Sequence, residues 1–291
     1  MTVLEGIQKS AEFLGKKSVE SPRLQAELLL AHVLKLPRMK LYLNFERVLT
    51  DAETDSFREL VKRRAQREPL QHIIGSTSFC GLEIAVNRSV LVPRPETELL
   101  AELGWNFLLE LTLQRVPARE QPEGWTPTAL DFGTGSGCIA IALAVKAPDA
   151  RIVALDVSPE ALEMAKQNAT RHNVASRIDF LQSNGFQPQN LFDLVISNPP
   201  YIASAEIETL EPEVRDYDPR GALDGGADGL DFYRRLAREA RGWLKPNGKI
   251  MLEFGEGQGD SIRKIFEAEN WIVEAIREDY THRQRILIAK L

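Results

Sequence analysis

The tetrapeptide Asn198-Pro199-Pro200-Tyr201 directly follows the apolar run from Phe192 to Ser197. Two adjacent prolines fix φ twice and remove two N–H donors, which leaves a rigid wall of acceptors: the backbone carbonyls and the amide oxygen of Asn198. Such a wall suits a substrate that presents an NH2 group. Both hydrogens can be held by acceptors while the flat π system lies against Tyr201. An amide nitrogen is a poor nucleophile because its lone pair is delocalised. Hydrogen bonds to both N–H groups hold it facing an electrophile and stabilise the positive charge that grows during in-line transfer, with proton loss following. The competing explanation is a proline-capped strand exit with a buried tyrosine, but packing alone rarely demands four specified residues at a strand end.

A second constellation lies upstream. Asp131-Phe132-Gly133-Thr134-Gly135-Ser136-Gly137 follows an apolar strand and opens an apolar helix. Glycines let the backbone turn tightly and approach a ligand, and the helix N-terminus supplies free N–H groups. Cys138 occupies the sixth position of the nicotinamide pattern G-x-G-x-x-G. Asp156 ends the next strand, where a carboxylate can accept both hydroxyls of a ribose. Taken alone, this arrangement serves NAD and S-adenosylmethionine equally. The acceptor wall shifts the balance to methyl transfer.

Other reactive side chains fall away. His32, His72, His172 and His282 have no paired ligand spacing, so no metal site is expected. Cys138 reads as a small core residue. Glu253, Glu256 and Asp279 have the chemistry of a general base, but ordinary solvation explains each equally well.

These motifs need a sheet to hold them. Strands are predicted at 129–132, 151–155, 177–181, 192–197, 248–254, 271–277 and 284–290, and helices at 137–146, 159–171, 231–242 and 259–269. The last two strands are too close for a crossover helix between them, so the final strand is expected to be antiparallel. This pattern resembles the class I S-adenosylmethionine-dependent methyltransferase fold, an α/β, Rossmann-like architecture with a seven-stranded sheet. Open parallel sheets bind ligands beyond the carboxyl ends of their strands, which puts the glycine loop and the Asn-Pro-Pro-Tyr turn in one crevice.

Ahead of the sheet, residues 1–70 read as a helical bundle. Thr2 with Glu5 and Thr50 with Glu53 have capping-box spacing, and Ser21-Pro22 offers a hydroxyl cap with proline at the first helical position. Leu24, Leu28 and Ala31 form one predicted apolar stripe, and Phe57, Leu60 and Val61 another. The basic run Lys62-Arg63-Arg64-Ala65-Gln66-Arg67 reads as a solvated helix face or, alternatively, a docking surface. Alternation at 76–79 and 82–86, broken at Cys80-Gly81, predicts a β-hairpin, so residues 71–92 are read as a linker and 93–291 as the catalytic domain. A helix over 95–111 carries Leu99, Leu103, Phe107 and Leu111 on one stripe, residues 115–127 form a loop, and the acidic stretch 206–218 is expected to be a flap over the substrate channel.

The motifs together identify a family. Gln71-His72-Ile73-Ile74-Gly75, Phe79-Cys80-Gly81, the run Val90-Leu91-Val92-Pro93-Arg94-Pro95-Glu96-Thr97-Glu98 and the run from Asp218 to Leu230 resemble the HemK/PrmC family, the peptide chain release factor N5-glutamine methyltransferases, over essentially the full length. The resemblance implies that S-adenosylmethionine, leaving as S-adenosylhomocysteine, methylates the glutamine of the Gly-Gly-Gln motif in class I release factors during translation termination. It assigns Gly133, Thr134, Gly135, Ser136 and Gly137 to the methionine part of the donor, Asp156 to the ribose, and Asn184 and Gly185 to the adenine. Asn198 would contact both donor and substrate. Asn198 and the Pro199 carbonyl would hold the glutamine amide beside Pro200, with Tyr201 on its plane. Arg94, Glu96 and Thr97 would border the donor pocket. The chain departs from the family at Asn184-Gly185-Phe186, where an acidic residue and then a bulky one often stand; Phe186 is a candidate stacking partner.

Composition sets the outer limits. The 291 residues, 43% hydrophobic and 27% charged, suit about two soluble globular domains. The longest apolar run, Cys138 to Val145, is far short of the roughly 18 residues of a membrane span. The N-terminus shows no secretory signal, and two cysteines make no disulfide framework, so a cytoplasmic location is expected; the protein is also read as a monomer. Residues 1–75 hold 13 Lys and Arg against 10 Asp and Glu, a balance of +3, which leaves −9 for the remainder. That asymmetry favours a protein substrate met by a mildly basic bundle. It speaks against direct DNA binding by a nucleic-acid amino-methyltransferase, which needs a basic cleft. A non-catalytic donor-binding adaptor is the third reading, and an intact Asn-Pro-Pro-Tyr argues against it.

Overall fold

A computed structural model describes residues 1–113, 126–184 and 191–291. The expected 115–127 loop up to residue 125, together with Gly185 and Phe186, lies outside the described residues. Two compact units divide the rest: Met1–Ser76 with Glu211–Tyr217, and Thr77–Leu210 with Asp218–Leu291.

The first unit is helical, with α1 (Val3–Gly15), α2 (Pro22–Leu34), α3 (Arg38–Leu41), α4 (Asp51–Ala65) and α5 (Leu70–Ile74). Both capping boxes form: Thr2 Oγ1 and Thr50 Oγ1 each accept from the backbone N–H three residues on at 3.2 Å, and Glu5 and Glu53 return the bond at 2.9 Å. Ser21 does not cap α2 with its hydroxyl. Its backbone is left-handed, at φ 46°, and only the proline half of that signal operates. The apolar face of α2 is also rotated from the expected stripe, because the helix is apolar nearly all round and spacing alone cannot choose a side. Of that stripe Ala31 is buried and Leu28 half-buried, but Leu24 is 42% exposed, and Ala26, Leu29 and Leu30 are buried.

The basic run at the end of α4 is solvated only in part: Lys62 and Gln66 are exposed, whereas its arginines are paired. Arg64 is 3% exposed and bonds Gln25 at 2.5 Å and Glu213 at 2.6 Å. Arg67 reaches Glu211 and Glu213, and Arg63 forms a two-pronged pair with Glu68. Glu211 and Glu213 belong to the segment expected to be a flap; its middle, with α9 (Pro212–Arg215), packs as part of the helical unit. Counting Glu211, Glu213, Arg215 and Asp216 with this unit lowers its charge from +3 to +1. The basic character read from residues 1–75 is therefore mostly neutralised by chain that is remote in sequence.

The second unit begins inside the hairpin of β1 (Ser76–Phe79) and β2 (Leu82–Ala85), at Thr77, and the hairpin's Phe79 and Ile84 enter the core beside Val86 and Val90. From Thr77 onward the hairpin therefore packs with the second unit. Asn168, fully buried on α8 (Pro159–Arg171), exchanges two hydrogen bonds with the Ala85 backbone and donates to Ser136 O at 2.9 Å, which ties β2 to the glycine loop.

The sheet comprises β3 (Thr128–Phe132), β4 (Arg151–Asp156), β5 (Ile178–Gln182), β6 (Phe192–Ser197), β7 (Leu244–Glu253), β8 (Ile272–Glu278) and β9 (Gln284–Lys290). Their order is β5-β4-β3-β6-β7-β9-β8, parallel from β5 through β7, with β9 antiparallel to both β7 and β8. This is the expected Rossmann-like methyltransferase sheet. The strand order reverses between β3 and β6, the switch point where such sheets open a crevice.

Two helices press on that point. α7 (Cys138–Lys146) is buried on all sides from Cys138 to Ala144, which explains its unbroken apolar run. α6 (Pro95–Leu113) buries Thr97, Leu100, Ala101, Gly104 and Leu108, one position off the expected stripe, whose members are only half-buried. Gly104 shifts the face: a Cβ there would stand 2.8 Å from Ile196 and 3.0 Å from Leu143, so the helix backbone itself approaches the sheet. A stripe drawn through large residues misses such a contact.

Candidate active site

β3 and β6 are neighbours in register, so Phe132 and Ser197 end their strands side by side, and the Ser197 hydroxyl donates to Phe132 O at 2.5 Å. The residues that follow are Gly133 and Asn198. Parallel pairing therefore delivers both sequence motifs to one edge, where they line a cavity of about 240 Å³.

On the β3 side the loop is tied locally. Gly133 N–H and Thr134 N–H both donate to Leu155 O, at 2.8 and 2.9 Å. Thr134 Oγ1 donates back to Asp131 at 2.6 Å, and Ala140 N–H donates to the same carboxyl oxygen at 3.1 Å. Asp131 is fully buried, which pushes its carboxyl up to about 7 against the pull of those two bonds. Gly133, Gly135 and Gly137 all have positive φ, at 75°, 54° and 81°. Their side-chain space differs. A Cβ on Gly133 or Gly135 would point into open space, whereas one on Gly137 would stand 2.9 Å from Ala165 of α8. Gly133 and Gly135 line the cavity; Thr134 and Ser136 are buried, and Gly137 lets α7 and α8 come together.

Asp156 ends β4 and also lines the cavity. Its Oδ2 accepts from Gly135 N–H at 2.8 Å and its Oδ1 from Ser158 N–H at 2.9 Å. Each carboxylate oxygen keeps a further lone pair, so the group holds the loop and can still accept from a diol. Asn184 lines the cavity and is exposed; its carbonyl accepts from Arg235. The lining further includes Val90 and Leu91, Gly221 and Ala222, and Phe232. All but Phe232 lie in motifs that carried the family resemblance, but nothing in their residue types marks them as site residues.

On the β6 side the turn is held from a distance. Asn198 Nδ2 donates to Thr97 Oγ1 at 3.1 Å, and neither Asn198 Oδ1 nor the Pro199 carbonyl accepts a hydrogen bond from any described residue. Asn198 and Pro200 line the cavity. The chain beyond is clamped by the segment 223–229: Ile202 N–H donates to Leu223 O at 3.0 Å and Gly225 N–H to Ile202 O at 2.8 Å. A Cβ on Gly225 would stand 2.8 Å from Pro200 O, and one on Gly229 2.3 Å from Tyr201 O. Gln258 donates to Tyr201 O at 2.9 Å. Burial, reinforced by the charge of Glu253, pushes the Tyr201 phenol up to about 12, so it stays protonated.

Three further expectations meet the geometry here. Arg94 does not reach the turn directly; it pairs with the buried Asp218 at 2.6 Å, fixing the start of the segment that supplies Gly221 and Ala222 to the cavity. Glu96 is exposed. Thr97 is 2% exposed and joins Asn198 instead of bordering the cavity. Among the set-aside acids, Glu256 is exposed and pairs with Arg283, and Asp279 is consumed in capping the β8–β9 turn through Thr281 and Arg283. Solvation does not explain Glu253. It is 2% exposed, and burial pushes its carboxyl up to about 7. Cys138 is buried, which pushes its thiol up and leaves it inert. Among the described residues no group of three or more His, Cys, Asp or Glu could hold a metal ion, and no helix is long and apolar enough to cross a membrane.

Known proteins resemble the chain over most of its length. The PrmC N-terminal domain model matches residues 5–75 and the methyltransferase small domain model residues 110–211. The release factor glutamine methyltransferase of Geobacter sulfurreducens is 43% identical over 267 residues, covering 91% of this chain and 88% of that protein. The release factor glutamine methyltransferase of Chlorobaculum tepidum is 39% identical over 290 residues, covering 98% and 95%. Among solved structures, the hMettl16 catalytic domain in complex with MAT2A 3'UTR hairpin 6 covers 82% of this chain and 81% of that one, with a TM-score of 0.53 at 14% identity, a likeness of fold alone.

Proposed function

Since the chain belongs to the release factor glutamine methyltransferase family, we propose that it methylates N5 of the glutamine in the Gly-Gly-Gln motif of class I peptide chain release factors, using S-adenosylmethionine. The observation that carries the reading is the unpartnered acceptor pair, Asn198 Oδ1 and Pro199 O, on a turn whose Asn198 lines the same cavity as the glycine loop. The donor fits the residues present: the open space over Gly133 and Gly135 admits a ligand against bare backbone, and Asp156 keeps lone pairs for ribose hydroxyls. At the adenine end Asn184 lines the cavity, and Gly185 is assigned there on the family resemblance alone, while Thr134, Ser136 and Gly137 shape the loop.

When bound, the donor supplies an electrophilic methyl group on a positively charged sulfur. The chain's residues do the rest. Asn198 Oδ1 and the Pro199 carbonyl accept the two N–H bonds of the glutamine amide and fix its nitrogen in line. The same acceptors stabilise the positive charge that develops on nitrogen, so they act more on the transition state than on the ground state. Pro200 holds the wall rigid, and Tyr201 lies against the amide plane. No side chain is needed to remove a proton beforehand, because methylation makes the nitrogen acidic. We assign residues 1–70 to release-factor docking, 71–92 to linking and 93–291 to catalysis, in a monomer that works in the cytoplasm in translation termination and does not bind DNA directly.

The test supplies methyl-labelled donor together with a release factor, a DNA duplex and ribosomal RNA. Label on the Gly-Gly-Gln glutamine supports the proposal. Label on nucleic acid with none on the factor overturns it, and donor binding without transfer to any of the three points to an adaptor.

A further inference from the structure

Glu253 is the last residue of β7, one step beyond the Ser197–Leu252 pair that joins β7 to β6, so the sheet register sets it beside Asn198. Thr97, in the first turn of α6, joins them. Thr97 and Glu253 are each 2% exposed, and Glu253 Oε2 has no hydrogen-bond partner among the described residues. Buried carboxyls are costly without a purpose that keeps them, and this one has no ion-pair partner within 4 Å among the described residues.

We propose that Glu253 is a positioning residue which, through the Thr97 hydroxyl, fixes the Asn198 amide with its oxygen toward the substrate and its NH2 away from it. This rests on the amide-clamp reading above. An ionised carboxylate only accepts hydrogen bonds. It draws the single hydroxyl proton of Thr97 and the NH2 of Asn198 toward itself, and both groups favour its charged form. With its proton committed, Thr97 Oγ1 can only accept, which selects the observed Nδ2 contact at 3.1 Å. A protonated Glu253 has a proton of its own to give. Thr97 is then released to donate to Asn198 Oδ1, which stabilises the flipped amide. That flip would aim donors at the substrate's own NH2.

The ionisation of Glu253 thus sets the polarity of the relay. The charged groups that bear on it are Glu96, which opposes ionisation, and Arg285, which favours it; the Tyr201 and Tyr233 phenols also face it, and the Tyr233 hydroxyl bonds its backbone carbonyl at 2.8 Å. Burial lifts the carboxyl to about 7, so transfer is expected to rise with pH through neutrality as Glu253 ionises.

The experiment measures kcat against pH for the full-length enzyme on a release factor, alongside donor affinity by calorimetry. Glu253→Gln is expected to lower kcat on the order of 10²-fold, the scale of one misdirected preorganised group, and to abolish the rise through neutral pH, with donor affinity retained. Thr97→Val is expected to do the same, the double variant to be no worse than either, and Thr97→Ser to recover most of the Thr97→Val loss because it keeps the hydroxyl. A Glu253→Gln enzyme with wild-type kcat and pH profile, or multiplicative losses in the double variant, overturns the relay. So does a fall in melting temperature with kcat intact, which would mark a purely structural role. Wild-type enzyme that labels no release-factor glutamine at any pH overturns the parent reading instead, and the wild-type arm keeps the two failures apart.

Discussion

At the exit of β3 the holding comes from the motif itself and the end of the neighbouring strand: Gly133 and Thr134 bond to Leu155 O near the end of β4, and Thr134 returns to Asp131 three residues back. At the exit of β6, Asn198 is held by Thr97, the turn beyond it by Gly225, Gly229 and Gln258, and Glu253 stands behind from the next strand. The first exit is a backbone cradle that needs only glycines at positive φ. The second is a rigid acceptor surface, and rigidity at a proline turn with few donors has to come from elsewhere in the fold. Binding a cofactor and orienting a substrate amide therefore place different demands on two adjacent strands.

The comparison breaks most sharply at Asn198. Asn198→Ala is expected to reduce methyl transfer on the order of 10³-fold while donor affinity, read by calorimetry, changes only a few-fold, since the lost acceptor serves the transition state. Equal losses in both would mean that the two exits do not divide the labour.

Glycine substitutions come next. Gly229→Ala would place a methyl 2.3 Å from Tyr201 O at a φ of 75° and is expected to cost about 3 kcal/mol or more in denaturant unfolding, with transfer falling in whatever remains folded. Gly133→Ala, at the same φ but facing open space, is expected to cost only about 1–2 kcal/mol and to weaken donor binding instead. Similar stability losses from the two would erase the distinction between cradle and clamp.

A smaller effect separates the two buried acids by pH. Asp131 and Glu253 both have folded-state pKa values raised to about 7 from 3.8 and 4.5, so the folded state binds more protons than the unfolded chain between about pH 4 and 7. Stability is therefore expected to fall as pH rises from about 4 to just above 7, by on the order of 1 kcal/mol per group for each pH unit crossed. Asp131→Asn should remove roughly half of that slope in denaturant titrations and leave the pH profile of transfer in place, whereas Glu253→Gln should change both.

The smallest effect concerns Glu256, three residues beyond Glu253. It is exposed and paired only with Arg283, so Glu256→Gln is expected to shift stability by less than about 0.5 kcal/mol, with transfer unchanged. A large loss there would show that charge near Glu253 acts through its field and not through one relay.

The cradle was readable in advance because its signals are contiguous: alternating glycines, an acid at the next strand end, an apolar helix behind. The sheet order followed from strand spacing and from the short final connection. The acceptor turn was readable as chemistry, but its supports were not. Thr97 and Glu253 are ordinary residue types, 101 and 55 positions away from Asn198, and only strand register and the approach of α6 through Gly104 bring them together. The basic run on α4 was misread for the same reason. Its partners, Glu211 and Glu213, return from more than 140 residues downstream, so a local charge pattern looked solvated when it was already paired.

The central claim is that the two exits bring a methyl group onto a glutamine side-chain nitrogen, and the direct measurement is the bond itself. Donor carrying a 13C-methyl is incubated with this enzyme and a release factor whose glutamine side chains carry 15N. A single one-bond 13C–15N correlation at the Gly-Gly-Gln glutamine is the expected result. A methyl carbon bonded to oxygen, to another residue or to nucleic acid, with no 15N coupling at that glutamine, would contradict it.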